Sequence, residues 1–133
     1  MKRKLSRFAC LFTVGGLAYN LIELLWRGYS HWSMFLLGGT CFHLIGKIGG
    51  KLWKRGFLAV AIACSAAVTT AEYLSGRLLN LRLKLNVWDY SHMLGNLHGQ
   101  VCLLYSLLWG VLSLAAVPLY RRCSLMLSRG SNR

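Results

Sequence analysis

With 133 residues, 56% of them hydrophobic, 14 glycines and a single proline, the chain is too apolar for an ordinary soluble domain and too short for a large transporter. A formal net charge of +13 would be the footprint of phosphate binding in a soluble protein. Here the Lys and Arg residues stand at the ends of apolar runs and read as topology signals, so nucleic acid is not the expected partner. The lipid bilayer is.

Lys2, Arg3, Lys4 and Arg7 form a basic collar that imitates a secretory signal. The run behind it contains Asn20 and Glu23 and leads to no Ala-x-Ala site, which predicts a retained first span. Phe8 to Trp26 holds one charge, Glu23, and at 1.5 Å per residue reaches roughly 28 Å, enough to cross the hydrocarbon core. A charged and aromatic knot, Glu23 to Met34, links this run to the next, and Val87-Trp88-Asp89-Tyr90-Ser91-His92 forms a second knot further on. The second run, 32–46, is uncharged but short, and Gly38-Gly39 and His43 interrupt it. It spans only with help from its flanks. Lys47 to Gly56 is a basic loop with glycine breakers and an interfacial Trp53. A third span is predicted over 57–79, rich in small residues and uncharged until Glu72. Leu81 to Leu85 alternates apolar and basic residues, as a short interfacial strand or a loop would. Tyr90 to Tyr120 contains no Lys, Arg, Asp or Glu and supplies a fourth span at 99–119, with Pro118 as its terminator. Residues 121–133 are read as a basic, frayed tail.

The expected fold is therefore an all-α membrane protein with four transmembrane helices in one domain, residues 1–120. All but Arg27, Arg77, Arg82 and Lys84 of the 16 basic residues lie in the collar, the central loop and the tail. That bias puts the N and C termini in the cytoplasm and the protein in a bacterial inner membrane. Glu23 and Glu72 then fall at the outer side. Tyr29-Ser30-His31 and Tyr90-Ser91-His92 repeat one word, which raises a parallel internal repeat of two hairpins.

Asn20, Glu23 and Arg27 share a helical face with Gly16, and Ser65, Thr69, Glu72 and Gly76 share another. Each of two membrane helices thus carries a polar stripe with a carboxylate. Intramembrane carboxylates are costly, face the bundle interior and default to function. The alternative is that both simply pair with arginines and stitch the bundle. Candidates for substrate binding or proton relay are Asn20, Glu23, Arg27, Tyr29, His31, Glu72, Asp89, Tyr90, His92, Asn96 and Gln100. His92 and His98 match no metal spacing, so no metal site is expected. His43 reads as a hydrogen-bonded packing residue. The five scattered cysteines read as small buried hydrophobes, and Trp26, Tyr29, Trp32, Trp88 and Tyr90 as interfacial anchors. Ser106, Gly110 and Ser113 continue from Gly99 as a small-residue seam. No nucleophile motif or phosphate-cradling loop occurs, so no cofactor is expected and any ATP must be bound by another chain.

At Gly15-Gly16, Tyr19, Glu23, Trp26 to Met34 and Gly38-Gly39, then Glu72-Tyr73, Val87 to Ser91, Asn96-Leu97 and Gly99-Gln100, the chain resembles the family of small bacterial membrane proteins labelled putative ABC-transporter permease, type IV (CmpB-like). The Arg-Gly-x-Ser-His-Trp-Ser-Met word is the most specific part. The resemblance implies a polytopic inner-membrane permease-like protein working with a separate ATPase subunit. Three functions stay open: a transport component, dimerised or joined to another subunit around a polar cavity; a non-catalytic accessory or regulatory protein whose knots are docking surfaces; and an acid/base enzyme, which lacks a nucleophile or metal set.

Overall fold

The computed structural model describes residues 1–130. They form four helices, α1 (Lys2–Arg27), α2 (Trp32–Leu52), α3 (Phe57–Gly76) and α4 (Leu103–Gly130), and no strand occurs among the described residues. The all-α expectation holds.

Each helix end follows from local chemistry. Gly28 closes α1 in the left-handed region at φ 80, where a Cβ is disfavoured, and its N–H donates to the Leu24 carbonyl at 3.1 Å. Three residues on, His31 caps α2: its Nδ1 accepts from the Ser33 N–H at 3.3 Å. A 3₁₀ turn, Trp53–Arg55, and Gly56 at φ 101 then separate α2 from α3.

The four-span expectation needs correction. Three helices are long and apolar enough to cross a membrane: Lys2–Arg27, the continuous helix Phe57–Arg82, and Leu103–Gly130. The helix expected over 32–46 exists and runs to Leu52, but it is not one of them. Gly38, Gly39, His43, Gly46, Lys47, Gly49, Gly50 and Lys51 occupy positions that a lipid-facing helix fills with large apolar side chains. The packing accounts for this composition. Helix α2 lies against α1, α3 and α4 and buries residues along most of its length, from Ser33 to Gly49. By contrast, only 22, 22 and 17% of the apolar windows of the three span-length helices is buried. Helix α2 is the core on which the others pack. Its glycines admit neighbours closely, Gly38 beneath Tyr19 and Gly39 beneath Phe12.

Other boundaries also moved. The third span continues past residue 79 as a π-helical turn, Arg77–Arg82, where part of the expected strand or loop had been placed. The fourth begins at Leu103, because residues 83–102 fold back as a loop held by Tyr90 N–H to Gly99 O at 2.7 Å and Leu97 N–H to Val101 O at 3.0 Å. Pro118 lies inside α4 and does not end it. Helix α4 continues through much of the expected tail, to Gly130; the last three residues, with Arg133, lie outside the described residues. Of the cysteines, Cys41, Cys64 and Cys102 are buried as expected, but Cys10 is exposed and Cys123 half-buried.

Candidate functional site: two carboxylates on one cavity

The backbones of α1 and α3 make no close approach, and α2 packs against both. Their carboxylates nevertheless open on the same space. A cavity of about 290 Å³ lies where α1 and α3 end and α4 begins, and Glu23, Arg27, Glu72 and Tyr90 line it with Tyr19, Ile22, Trp26, Tyr105, Leu108, Trp109, Val111 and Leu112. Its walls are mostly apolar and aromatic, with a few convergent polar groups, which is the usual character of a ligand pocket.

Glu23 and Arg27, one helical turn apart on α1, form an ion pair with side chains only 11 and 18% exposed. The pair joins Glu23 Oε2 to Arg27 Nη2, and Arg27 Nε is buried with no hydrogen-bond partner. Arg27 Nη1 donates to the Val87 carbonyl at 3.1 Å, and the guanidinium lies over the Tyr29 ring, 4.6 Å from its centroid. The knot thus ties α1 to the loop 83–102.

Glu72 is 4% exposed and accepts from Trp109 Nε1 at 2.8 Å. Among the described residues no cation pairs with it; the Glu23–Arg27 pair is the ion pair found there. Tyr19 stacks on Trp109 with centroids 5.4 Å apart, and Tyr90 lies 4.9 Å from Tyr105. Trp26 Nε1 donates to Tyr105 Oη at 3.1 Å, closing the rim between α1 and α4.

Of the residues picked out in the sequence, the structure brings Glu23, Arg27, Glu72 and Tyr90 to the cavity. It places the others elsewhere. Asn20 Oδ1 accepts from Ser30 at 3.1 Å, holding the α1–α2 turn. Tyr29 lies outside the bundle beneath Arg27, and His31 is the α2 cap. Asp89 is exposed, and the Ser91 backbone N–H that it accepts at 2.9 Å, helped by the Ser91 side chain, holds its carboxyl below the ordinary aspartate value. His92 is exposed. Asn96 staples the loop, donating to the Ser91 and Met93 carbonyls and accepting from Gly99 N–H.

Gln100 is buried but fully used. Its Oε1 accepts from Asn80 at 2.9 Å, its Nε2 donates to the His98 carbonyl at 2.8 Å, and its own carbonyl accepts from Trp88 Nε1. Trp88 is therefore a buried clamp, 5% exposed, and not an interfacial anchor. Asn80, brought round by the π turn, also accepts from the N–H of Val87 at 2.7 Å. Gly76 permits this closure: a Cβ there would lie 2.9 Å from Gln100 Cβ and 3.0 Å from Trp88 Cζ2.

The α3 stripe divides by role. Ser65 Oγ donates to the Ser106 carbonyl and Thr69 bonds the Ser106 hydroxyl, so both stitch α3 to α4. The seam on α4 packs as expected at Ser106, Gly110 and Ser113, while Gly99 lies in the loop. Only Glu72 faces the cavity. Sequence reasoning missed Tyr19, Tyr105 and Trp109. Tyr105 and Trp109 stand one turn apart on the uncharged first half of α4, and that spacing is the available signal. No group of three metal-ligating side chains occurs among the described residues.

The two Tyr-Ser-His words occupy different local structures. The first connects α1 and α2 as a tight turn and cap, and the second sits within the long folded loop.

A family model described as "Putative ABC-transporter type IV" matches residues 8–129. Nothing matches among curated proteins or among solved structures.

Proposed function

We propose that this chain, which belongs to the family described as "Putative ABC-transporter type IV", is a permease-like membrane component whose Glu23–Arg27–Glu72–Tyr90 cavity binds the transported solute. The family and the three span-length helices make it an ABC-transporter-related, multi-pass membrane protein. Solute binding in the cavity, a separate ATPase subunit, cytoplasmic termini, residence in a bacterial inner membrane and an outward-facing cavity belong to the proposal.

One observation carries it. Glu23 and Glu72, on helices whose backbones stay apart, open on one half-enclosed space. Bundle-stitching carboxylates would each end on a cation. Glu23 does, but Glu72 meets only the Trp109 indole and the Tyr19 hydroxyl, neither of them a cation. The accessory reading is the alternative, favoured by the exposed aromatics Trp26, Tyr29 and Trp32 around the first knot.

The test is complementation of a deletion strain with the wild type and with Glu23→Gln/Glu72→Gln, at equal membrane levels, together with affinity purification in mild detergent. An ATP-hydrolysing subunit that co-purifies with both forms, while only the wild type restores growth, is the expected result. Full restoration by the double variant would transfer the function to the exposed knot.

A further inference from the structure

A second cavity continues the first. It measures about 150 Å³ and is lined by apolar groups of α1, α2 and α4, including Gly15, Ala18, Cys41, Phe42, Ala115 and Leu119. Tyr19, Ile22, Trp109 and Leu112 border both spaces. Side by side, they put carboxylates and aromatic rings in one space and mostly apolar side chains in the next. Ile22, Leu108, Val111 and Leu112 at the mouth of the first space are all exposed large apolar residues, so the mouth opens sideways, toward lipid, between α1 and α4.

The charge of the polar end is unbalanced. Two carboxylates share one guanidinium; Glu23 uses it, and Glu72 has no cation. Tyr19 and Trp109 stack beside Glu72, with Tyr90 and Tyr105 opposite on the lining. A buried carboxylate with no cation of its own, away from water, recognises an ammonium head through Coulomb attraction. The apolar continuation accepts an alkyl chain.

We propose that the ligand of this cavity is a single-chain cationic amphiphile taken from the lipid phase, its head on Glu72 and its chain in the α1/α4 groove. This rests on the reading of the cavity as a binding site.

The probe is dodecyltrimethylammonium, titrated into the full chain in neutral phosphatidylcholine nanodiscs, with empty discs subtracted. Saturable binding is expected, weakened roughly tenfold or more by Glu72→Gln. Glu72→Asp, which keeps the charge, should fall between the two. Ala115→Phe should weaken dodecyltrimethylammonium several-fold and leave tetramethylammonium unchanged. Equal binding by wild type and Glu72→Gln would overturn the proposal. So would equally tight binding of dodecyl sulfate or a zwitterionic lysophosphocholine, or indifference to Ala115→Phe. If the proposal fails while the double carboxylate variant still loses complementation, the binding-site reading stands and only its ligand class is wrong.

Discussion

Two buried polar clusters sit in this bundle, and they are built on opposite principles. Around His43 every polar atom is used: Nδ1 meets Tyr120 Oη at 2.9 Å, Nε2 meets the Phe8 carbonyl at 3.2 Å, and the ring stacks on Phe8 at 4.2 Å. Around Glu23 and Glu72, Arg27 Nε has no hydrogen-bond partner, one carboxylate has no cation, and both line a cavity. A saturated cluster fixes helix packing and has no capacity left for a ligand. An unsaturated one costs stability and persists where something else completes it.

Substitutions at the two clusters should therefore separate stability from function. The largest loss of stability is expected from Arg27→Ala, which leaves Glu23 buried and unpaired at a cost of roughly 3–5 kcal/mol. Unfolding in mixed detergent micelles measures it, and a loss below about 1 kcal/mol would mean that the pair behaves as a solvated surface pair. His43→Phe should cost about 1–3 kcal/mol by leaving Tyr120 Oη without its partner, yet leave complementation intact. Loss of complementation in folded His43→Phe would erase the contrast between the clusters. Gly76→Ala, forcing Gln100 and Trp88 apart, should cost roughly 1–3 kcal/mol and speed hydrogen exchange across residues 83–102. Unchanged exchange there would mean that the loop does not depend on this contact.

Glu72→Gln is expected to change stability by less than about 1 kcal/mol, because the amide carbonyl still accepts from Trp109. The functional loss is what this variant should show. The mildest effect concerns Asp89, whose folded carboxyl titrates below the ordinary value because Ser91 bonds the charged form. A depressed value stabilises the turn above the unfolded pKa, and that contribution disappears as pH falls through the folded one. The Ser91 amide resonance should report it, and a transition at or above the unfolded aspartate value would remove the bond from the account.

The carboxylates were legible because charge inside an apolar run is rare and costly, and helical spacing placed Arg27 one turn from Glu23. The saturated role of His43 was legible too, since a lone histidine in an apolar helix needs partners. The aromatic half of the cavity was not. Tyr19, Tyr105 and Trp109 carry no charge and look like any interfacial or core aromatics until α4 is docked. Nor did local pattern reveal the loop. Asn80 and Gln100 hold it through bonds across 20 positions of sequence, and the π turn that aims Asn80 has no signature in Arg77 to Arg82. The repeated Tyr-Ser-His word does not fix local structure: identical letters form a cap in one place and a loop in the other, because the chain around them differs. Helix α2 was read as a weak span, when its glycines serve a position at the centre of the bundle.

The central claim is that Glu72 stands on an open cavity reached from the lipid side. The test is labelling with lipid-soluble dicyclohexylcarbodiimide, which adds to protonated carboxyls, in native-like bilayers across a falling pH series, mapped by peptide mass spectrometry. An adduct at Glu72 that grows as pH falls is expected; folded protein whose Glu72 stays unmodified at every pH would mean that the carboxyl is not reached from the lipid side.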